Sequence, residues 1–274
     1  MEKLEAALAR AREMRRAALG DAGIERTSGT STPSAPAVEW AALPEISVSD
    51  PLARRNRIAA AIGGREASPF DMLRSRTLRQ IKEKNWTRIA LTSPGPACGK
   101  TTVAINLALS LSRQRDLRVM LLDFDLRRPS LHRTLDATPR KSLHEFLEGK
   151  AEFAETAYRI EDNLVVSMNA TPHQQPAELM QSESTRQALD LLERAWRPDV
   201  MLFDMSPMLA SDDNVGFLSN ADCALLVVAA ESTTLPNIDA CEKELAQLTN
   251  VLGVVLNKCR YEDEGAGYAY GTYG

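Results

Sequence analysis

Apolar residues fall into short unbroken blocks along the chain, separated by longer stretches in which they recur at helical spacing. The blocks are RIALTS (88–93), RVMLLDFD (118–125), NLVVSM (163–168), DVMLFDMS (199–206), CALLVVAAE (223–231) and VLGVVLNK (251–258). Each has the length of a strand, and none alternates strictly between apolar and polar. That is the pattern of strands buried on both faces. Between them lie helical segments: PFDMLRSRTLRQIKEK, with Phe70, Leu73, Thr77 and Ile81 along one side, then TTVAINLALSLSRQ, PAELMQSESTRQALDLLERAW, DDNVGFLSN and PNIDACEKELAQL. Strands alternating with helices predict an α/β domain with a mostly parallel sheet and helices on both faces. Such sheets bind ligands at the carboxyl ends of their strands.

The two ends of the chain differ from this pattern. MEKLEAALARAREMRRAALG places Leu4, Ala7, Leu8, Ala11, Ala18 and Leu19 at helical spacing, with Gly20 as a stop. It reads as an amphipathic helix over 1–19, either solvated or docking a partner. Residues 20–50 collect Ser, Thr, Pro and Ala and read as a flexible linker. The folded domain is expected over 51–260. The last segment, YEDEGAGYAYGTYG (261–274), holds Tyr261, Tyr268, Tyr270 and Tyr273, all but one of the chain's 5 tyrosines. It is too rich in Gly and too poor in aliphatic residues to make a core, so a flexible tail is expected.

Composition narrows the options. An apolar content of 44% and a charged content of 26% are those of a globular protein. A net charge of -4 gives no global field for nucleic acid, so no nucleic-acid partner is expected. Basic residues do gather over 51–90, as a solvated face or as a docking surface. Cys98, Cys223, Cys241 and Cys259 show no CxxC pair and no zinc spacing, and read as reduced thiols. No apolar run nears the ~20 residues that cross a bilayer, and the N-terminus has no signal-peptide core. The expected location is cytoplasmic, at the inner face of a membrane only through a partner.

The first strand runs into TSPGPACGKTT, and a helix follows at once. Strand, small-residue loop, Gly-Lys-Thr and helix is the context of a phosphate-binding loop. Pro96, Ala97, Cys98, Gly99 and Thr102 would surround the phosphates at a helix N-terminus. Lys100 would reach the β- and γ-phosphates, and Thr101 would ligand Mg2+. The loop is a variant, because Pro94 stands where the strict pattern has Gly and Gly95 comes one place late. The second strand ends in DFDLRRP, where Asp123 and Asp125 lie two apart and share a strand face. Asp204, after VMLF, suits the second acidic partner of a phosphate-loop NTPase. Thr101, Asp125 and Asp204 are thus candidate metal ligands. A guanine site of NKxD type needs an acceptor where LNKCR has Arg260. Adenine, and hence ATP, is expected instead, with Asn257 as a candidate contact.

GPACGKTT, LLDFDLRRP and MLFDMSP, in this order and with a terminal tyrosine cluster, resemble the bacterial tyrosine kinases over about residues 69–274. These are autokinases that accompany capsule and exopolysaccharide export. The N-terminal segment looks similar to their stand-alone branch, which pairs with a separate membrane protein. The resemblance implies the P-loop sheet of the partition and septum-site ATPases, with ATP and Mg2+ as cofactors. It also implies a homo-oligomer that phosphorylates a neighbour's tail at Tyr261, Tyr268, Tyr270 and Tyr273. Further implications are a membrane-embedded polysaccharide co-polymerase-type activator and control of polysaccharide chain length or export. Position by position, Lys100 and Thr101 match the phosphate loop, and Asp123, Asp125 and Asp204 match the acidic motifs. Arg127 and Arg128 match a basic stretch beside the nucleotide. Lys100, Asp123, Asp125 and Asp204 would be catalytic, with Asp123 accepting the tyrosine proton. Two places depart from the family. Met205-Ser206 replaces Thr-Pro, and Ser68, Asp71 and Arg74 stand where an ExxRxxR ring-assembly pattern is usual. The alternative is a partition or septum-site ATPase switch without kinase activity. Its additional lysine, five places before Lys100, would fall at Gly95.

Overall fold

The structure, a computed structural model, describes residues 40–259. The amphipathic start, most of the expected linker, Arg260 and the four tail tyrosines lie outside the described residues. The strands are β1 (Arg88–Thr92), β2 (Val119–Phe124), β3 (Ala157–Glu161), β4 (Leu164–Ser167), β5 (Val200–Met205), β6 (Cys223–Ala229) and β7 (Asn250–Asn257). They form one 7-stranded sheet in the order β3-β4-β2-β5-β1-β6-β7. Every neighbouring pair is parallel except β3 and β4, which are antiparallel.

The unbroken apolar blocks are explained by a core on each face of the sheet. Along β2, Val119 and Leu121 enter one core while Met120 and Leu122 enter the other. Along β5, Val200 and Leu202 divide from Met201 and Phe203 in the same way. The first core receives Leu78 and Ile81 of the helix Ser68–Lys84, and Val103, Leu107 and Leu111 of the helix Lys100–Ser112. The second receives Leu189, Leu192 and Trp196 of Glu183–Trp196, and Cys241 and Leu245 of Leu235–Leu248.

The helix Lys100–Ser112 is buried at every residue from Val103 to Ser112. It lies against the sheet and is also covered by the short helices and the Ser68–Lys84 helix that precede β1. Asn106, fully buried, fastens it by accepting from the Ala60 N–H (2.8 Å) and donating to the carbonyls of Arg57 (3.0 Å) and Thr102 (2.8 Å). The N-terminal end of this helix is the phosphate loop, so the anchoring fixes the site.

The mostly parallel sheet is as expected, with one strand and one boundary that the sequence did not show. The sheet has an antiparallel edge strand, β3, whose sequence AYRIE contains Tyr158, the one tyrosine among the described residues. Tyr158 is buried, and its hydroxyl accepts from the Arg140 N–H at 2.7 Å. The folded domain also begins before residue 51. Trp40 and Leu43 are buried, and the Trp40 indole donates to the Trp196 carbonyl at 3.1 Å. Arg118 lies 5.6 Å above the Trp40 ring, and the Ile46 N–H bonds the Arg159 carbonyl on β3 at 2.8 Å. Pro and Ala suggested a linker here, but two large apolar side chains inside the core determine the outcome. Among the described residues no helix is long and apolar enough to cross a membrane.

Candidate active site

β1 ends at Thr92, and the loop to Gly99 turns directly into the helix at Lys100. Two loop residues are left-handed, Ala97 (φ 60) and Gly99 (φ 90). A Cβ on Gly99 would stand 2.2 Å from Asn257 Nδ2, so that position accepts only glycine without rearrangement. Asn257, at the end of β7, donates from Nδ2 to the Cys98 carbonyl at 2.9 Å. The residue expected to touch the base therefore braces the loop backbone. The loop is also tied to the segment after β5: the Met208 and Leu209 N–H groups donate to the carbonyls of Ser93 (2.7 Å) and Pro94 (3.1 Å). Cys98 is buried, its sulfur 3.7 Å from the Thr233 hydroxyl.

The acidic residues converge on this loop. Lys100 Nζ pairs with Asp125 Oδ2 at 2.8 Å. The Thr101 hydroxyl donates to Asp204 Oδ2 at 2.6 Å and lies 3.0 Å from the Ser130 hydroxyl. Asp123 stands directly opposite Asp204 in the β2–β5 register. Alternation puts both on the face that packs the phosphate-loop helix, because Leu121 and Leu202, two residues earlier, belong to that core. Asp123 and Asp204 are fully buried, yet both oxygens of Asp123 and Oδ1 of Asp204 have no hydrogen-bond partner among the described residues.

Three carboxylates face one ammonium, and the titrations reflect it. Burial, reinforced by the charges of Asp204 and Asp125, holds the Asp123 carboxyl well above the usual carboxylate range. Burial also raises Asp204, against the opposing pull of Lys100. Burial would lower Lys100, but Asp204 and Asp125 more than offset it and the ammonium is held above its ordinary value. Unpaired lone pairs and excess negative charge in a dry pocket are the electrostatics of a divalent-cation site. All the donors are hydroxyl or carboxylate oxygens, the set that a hard ion such as Mg2+ takes. The residues present fit that ion.

A cavity of about 230 Å³ opens beside the cluster, lined by Pro96, Ala97, Lys100, Asp125, Arg127 and Ser206 among others. Thr102 follows, half-buried, in the first turn of the helix. Arg127 is held in place by a forked pair: Nε donates to Asp213 Oδ2 at 3.0 Å and Nη2 to Oδ1 at 2.8 Å. Asp213 is only 1% exposed. Neither Asp213 nor Ser130 stood out in the sequence. Asp213 read as a residue opening the DDNVGFLSN helix, and only the fold brings it under Arg127.

The sequence pattern of the ParA family, described as NUBPL iron-transfer P-loop NTPase, matches residues 86–272. The putative tyrosine-protein kinase EpsB of Ralstonia solanacearum is 30% identical over 193 residues, covering 68% of this chain and 25% of that protein. The tyrosine-protein kinase CpsD of Streptococcus pneumoniae is 28% identical over 189 residues, covering 68% and 82%. This chain belongs to the bacterial tyrosine kinase family of ParA-type P-loop NTPases. The kinase domain of the Escherichia coli tyrosine kinase ETK superposes with a TM-score of 0.58 at 27% identity, covering 69% of this chain and 73% of that one. The chain thus spans about a quarter of EpsB but most of CpsD. The family's phosphate loop and acidic strand ends are the elements that meet around Lys100.

Proposed function

We propose that the chain is an ATP- and Mg2+-dependent protein-tyrosine kinase. Its acceptors are Tyr261, Tyr268, Tyr270 and Tyr273 in the tail of a neighbouring copy within a homo-oligomer. Through that modification it regulates polysaccharide polymerisation and export, held at the inner face of the membrane by a membrane-embedded activator of the co-polymerase type. The observation that carries the reading is the convergence of Lys100, Asp123, Asp125 and Asp204 at the end of the phosphate loop.

Phosphoryl transfer passes through a loose transition state, so positioning and charge stabilisation do most of the work. Lys100 exchanges Asp125 for the β- and γ-phosphate oxygens and neutralises the charge that builds there. Thr101, Asp125 and Asp204 would hold Mg2+, which would supply further neutralisation of negative charge. The tyrosine oxygen forms a bond to the γ-phosphorus as the bond to the bridging β-phosphate oxygen breaks, and ADP leaves. The phenol has a pKa of ~10, so a strong base is unnecessary. Asp123 takes the proton, its basicity favoured by burial and by Asp204. Arg127, anchored on Asp213, presents a cation at the cavity mouth where the acidic Glu262, Asp263 and Glu264 would arrive.

The test is purified protein incubated with ATP and Mg2+, with phosphotyrosine mapped by mass spectrometry. Phosphate is expected on the four tail tyrosines, none on buried Tyr158, and none anywhere in Lys100→Met. Phosphate release from ATP without phosphotyrosine would replace this reading with that of an ATPase switch.

A further inference from the structure

Two of the chain's 3 histidines meet a single carboxylate away from the phosphate loop. His144 lies in the helix Leu143–Leu147, Glu148 caps that helix, and His173 lies in the loop after β4. His144 Nδ1 is 3.6 Å from Glu148 Oε2, and His173 Nε2 is 3.4 Å from Glu148 Oε1. One ligand atom from each residue falls within 4.8 Å of the others. Nitrogen and oxygen ligands bound ~2.0–2.1 Å from a tetrahedral zinc stand about 3.3 Å apart. Glu148 meets the two imidazoles through different oxygens, so with one oxygen as the shared ligand the set closes from within 4.8 Å by about 1.5 Å at most.

An ordinary ionic cluster would leave each group satisfied, and this one does not. His144 Nδ1 is buried without a hydrogen-bond partner. Two groups compete with an ion. Lys150 Nζ sits 3.0 Å from Glu148 Oε1, on a side chain 65% exposed that is free to swing into water. The Gln175 N–H donates to His173 Nδ1 at 3.1 Å, which leaves the ring proton on Nε2 facing Glu148. Metal binding moves that proton to Nδ1, and the exposed Gln175 amide turns to solvent.

We propose that His144, Glu148 and His173 form a binding site for a divalent transition-metal ion of the zinc class, with a fourth position open to water. Imidazole donors favour such an ion over Mg2+, so this site and the oxygen-lined one beside Lys100 select different metals. Its placement gives the ion a consequence. The Asn169 side chain accepts from the His144 N–H (3.0 Å) and donates to the Asp123 carbonyl (2.7 Å). The His173 N–H donates to the Leu126 carbonyl (2.8 Å). An ion joining His144 to His173 therefore clasps both attachments of the Asp123–Leu126 segment and stiffens it. The inference stands on the three side chains and does not depend on the kinase reading.

The test uses metal-stripped full-length protein titrated with Co2+, whose four-coordinate complexes have intense visible bands while six-coordinate oxygen sites absorb weakly. One equivalent with the intense bands is expected, absent in His173→Ala and in Glu148→Gln. Zn2+ at a 100-fold excess over Kd should raise the melting temperature of the wild type by about 5 °C and leave both variants unchanged. Lys150→Met should bind Co2+ more tightly than wild type. Retained ATP binding shows that the variants are folded, and the Glu148→Gln change is nearly isosteric. Absence of the bands in wild type, or equal bands in wild type and both variants, would overturn the proposal.

Discussion

Gly99 is constrained twice, by its left-handed backbone and by the side chain of Asn257 against it. Gly99→Ala should cost about 1–3 kcal/mol of strain and break the Asn257 brace on Cys98. The expected result is at least tenfold weaker nucleotide binding by calorimetry, with a lowered melting temperature. Asp123 makes the opposite case. It is a fully buried carboxylate set against the charges of Asp204 and Asp125, and a buried charge among like charges destabilises the fold. Asp123→Asn should therefore raise the melting temperature of the unliganded protein while abolishing phosphotyrosine, a gain in stability at the expense of function. Lys100, Thr101 and the three aspartates were legible in the sequence because each sits at a strand end or helix start, where the motif fixes the place. The Asn257 contact was not. Its position at a strand end was readable, but the Cys98 carbonyl it bonds lies 159 residues away in the chain.

Among the elements, the phosphate-loop helix depends on the helix before β1. Asp71 accepts from the Ser110 hydroxyl (2.6 Å) and from Arg113 Nη1 (2.9 Å), and Arg74 reaches both Asp71 (3.2 Å) and the Ser110 carbonyl (3.0 Å). Asp71 and Arg74, where the resemblance leads us to expect a ring-assembly pattern, here join two helices of one chain. The Ser110 bond, opposed by burial and aided by Arg113 and Arg74, holds the Asp71 carboxyl below its ordinary 3.8. A depressed folded value means stability that is present above pH 3.8 and lost as pH falls through the lower folded value. Asp71→Asn should thus lose about 1 kcal/mol at pH 7, a modest figure because the group is one-third exposed. Denaturant melts of variant and wild type should converge as the pH drops below 3.8. The six strands with unbroken apolar blocks were legible at this scale. β3 was not, since AYRIE is short, carries Arg159 and Glu161, and pairs only at the sheet edge.

For the whole molecule, the domain begins at least at Trp40. Large-to-small changes at a buried aromatic cost about 3–5 kcal/mol, so deleting residues 1–50 should lower the melting temperature far more than deleting 1–36. Equal melts would mean that Trp40 and Leu43 add nothing to the core. The proposed reaction joins two molecules: the catalytic cluster of one and the tyrosine tail of another. Each phosphate would add about −1.5 to −2 charge at pH 7 to a tail already carrying Glu262, Asp263 and Glu264. Against a site with three aspartates, repeated modification should loosen the assembly. The most direct measurement mixes a full-length Lys100→Met chain, which has the tail but no catalytic lysine, with an active chain ending at Arg260, which has the site but no tail. After incubation with ATP and Mg2+, phosphotyrosine on the tail of the Lys100→Met chain is the predicted result. An unmodified Lys100→Met tail, under conditions in which the wild-type chain labels its own tail, would contradict transfer between neighbours.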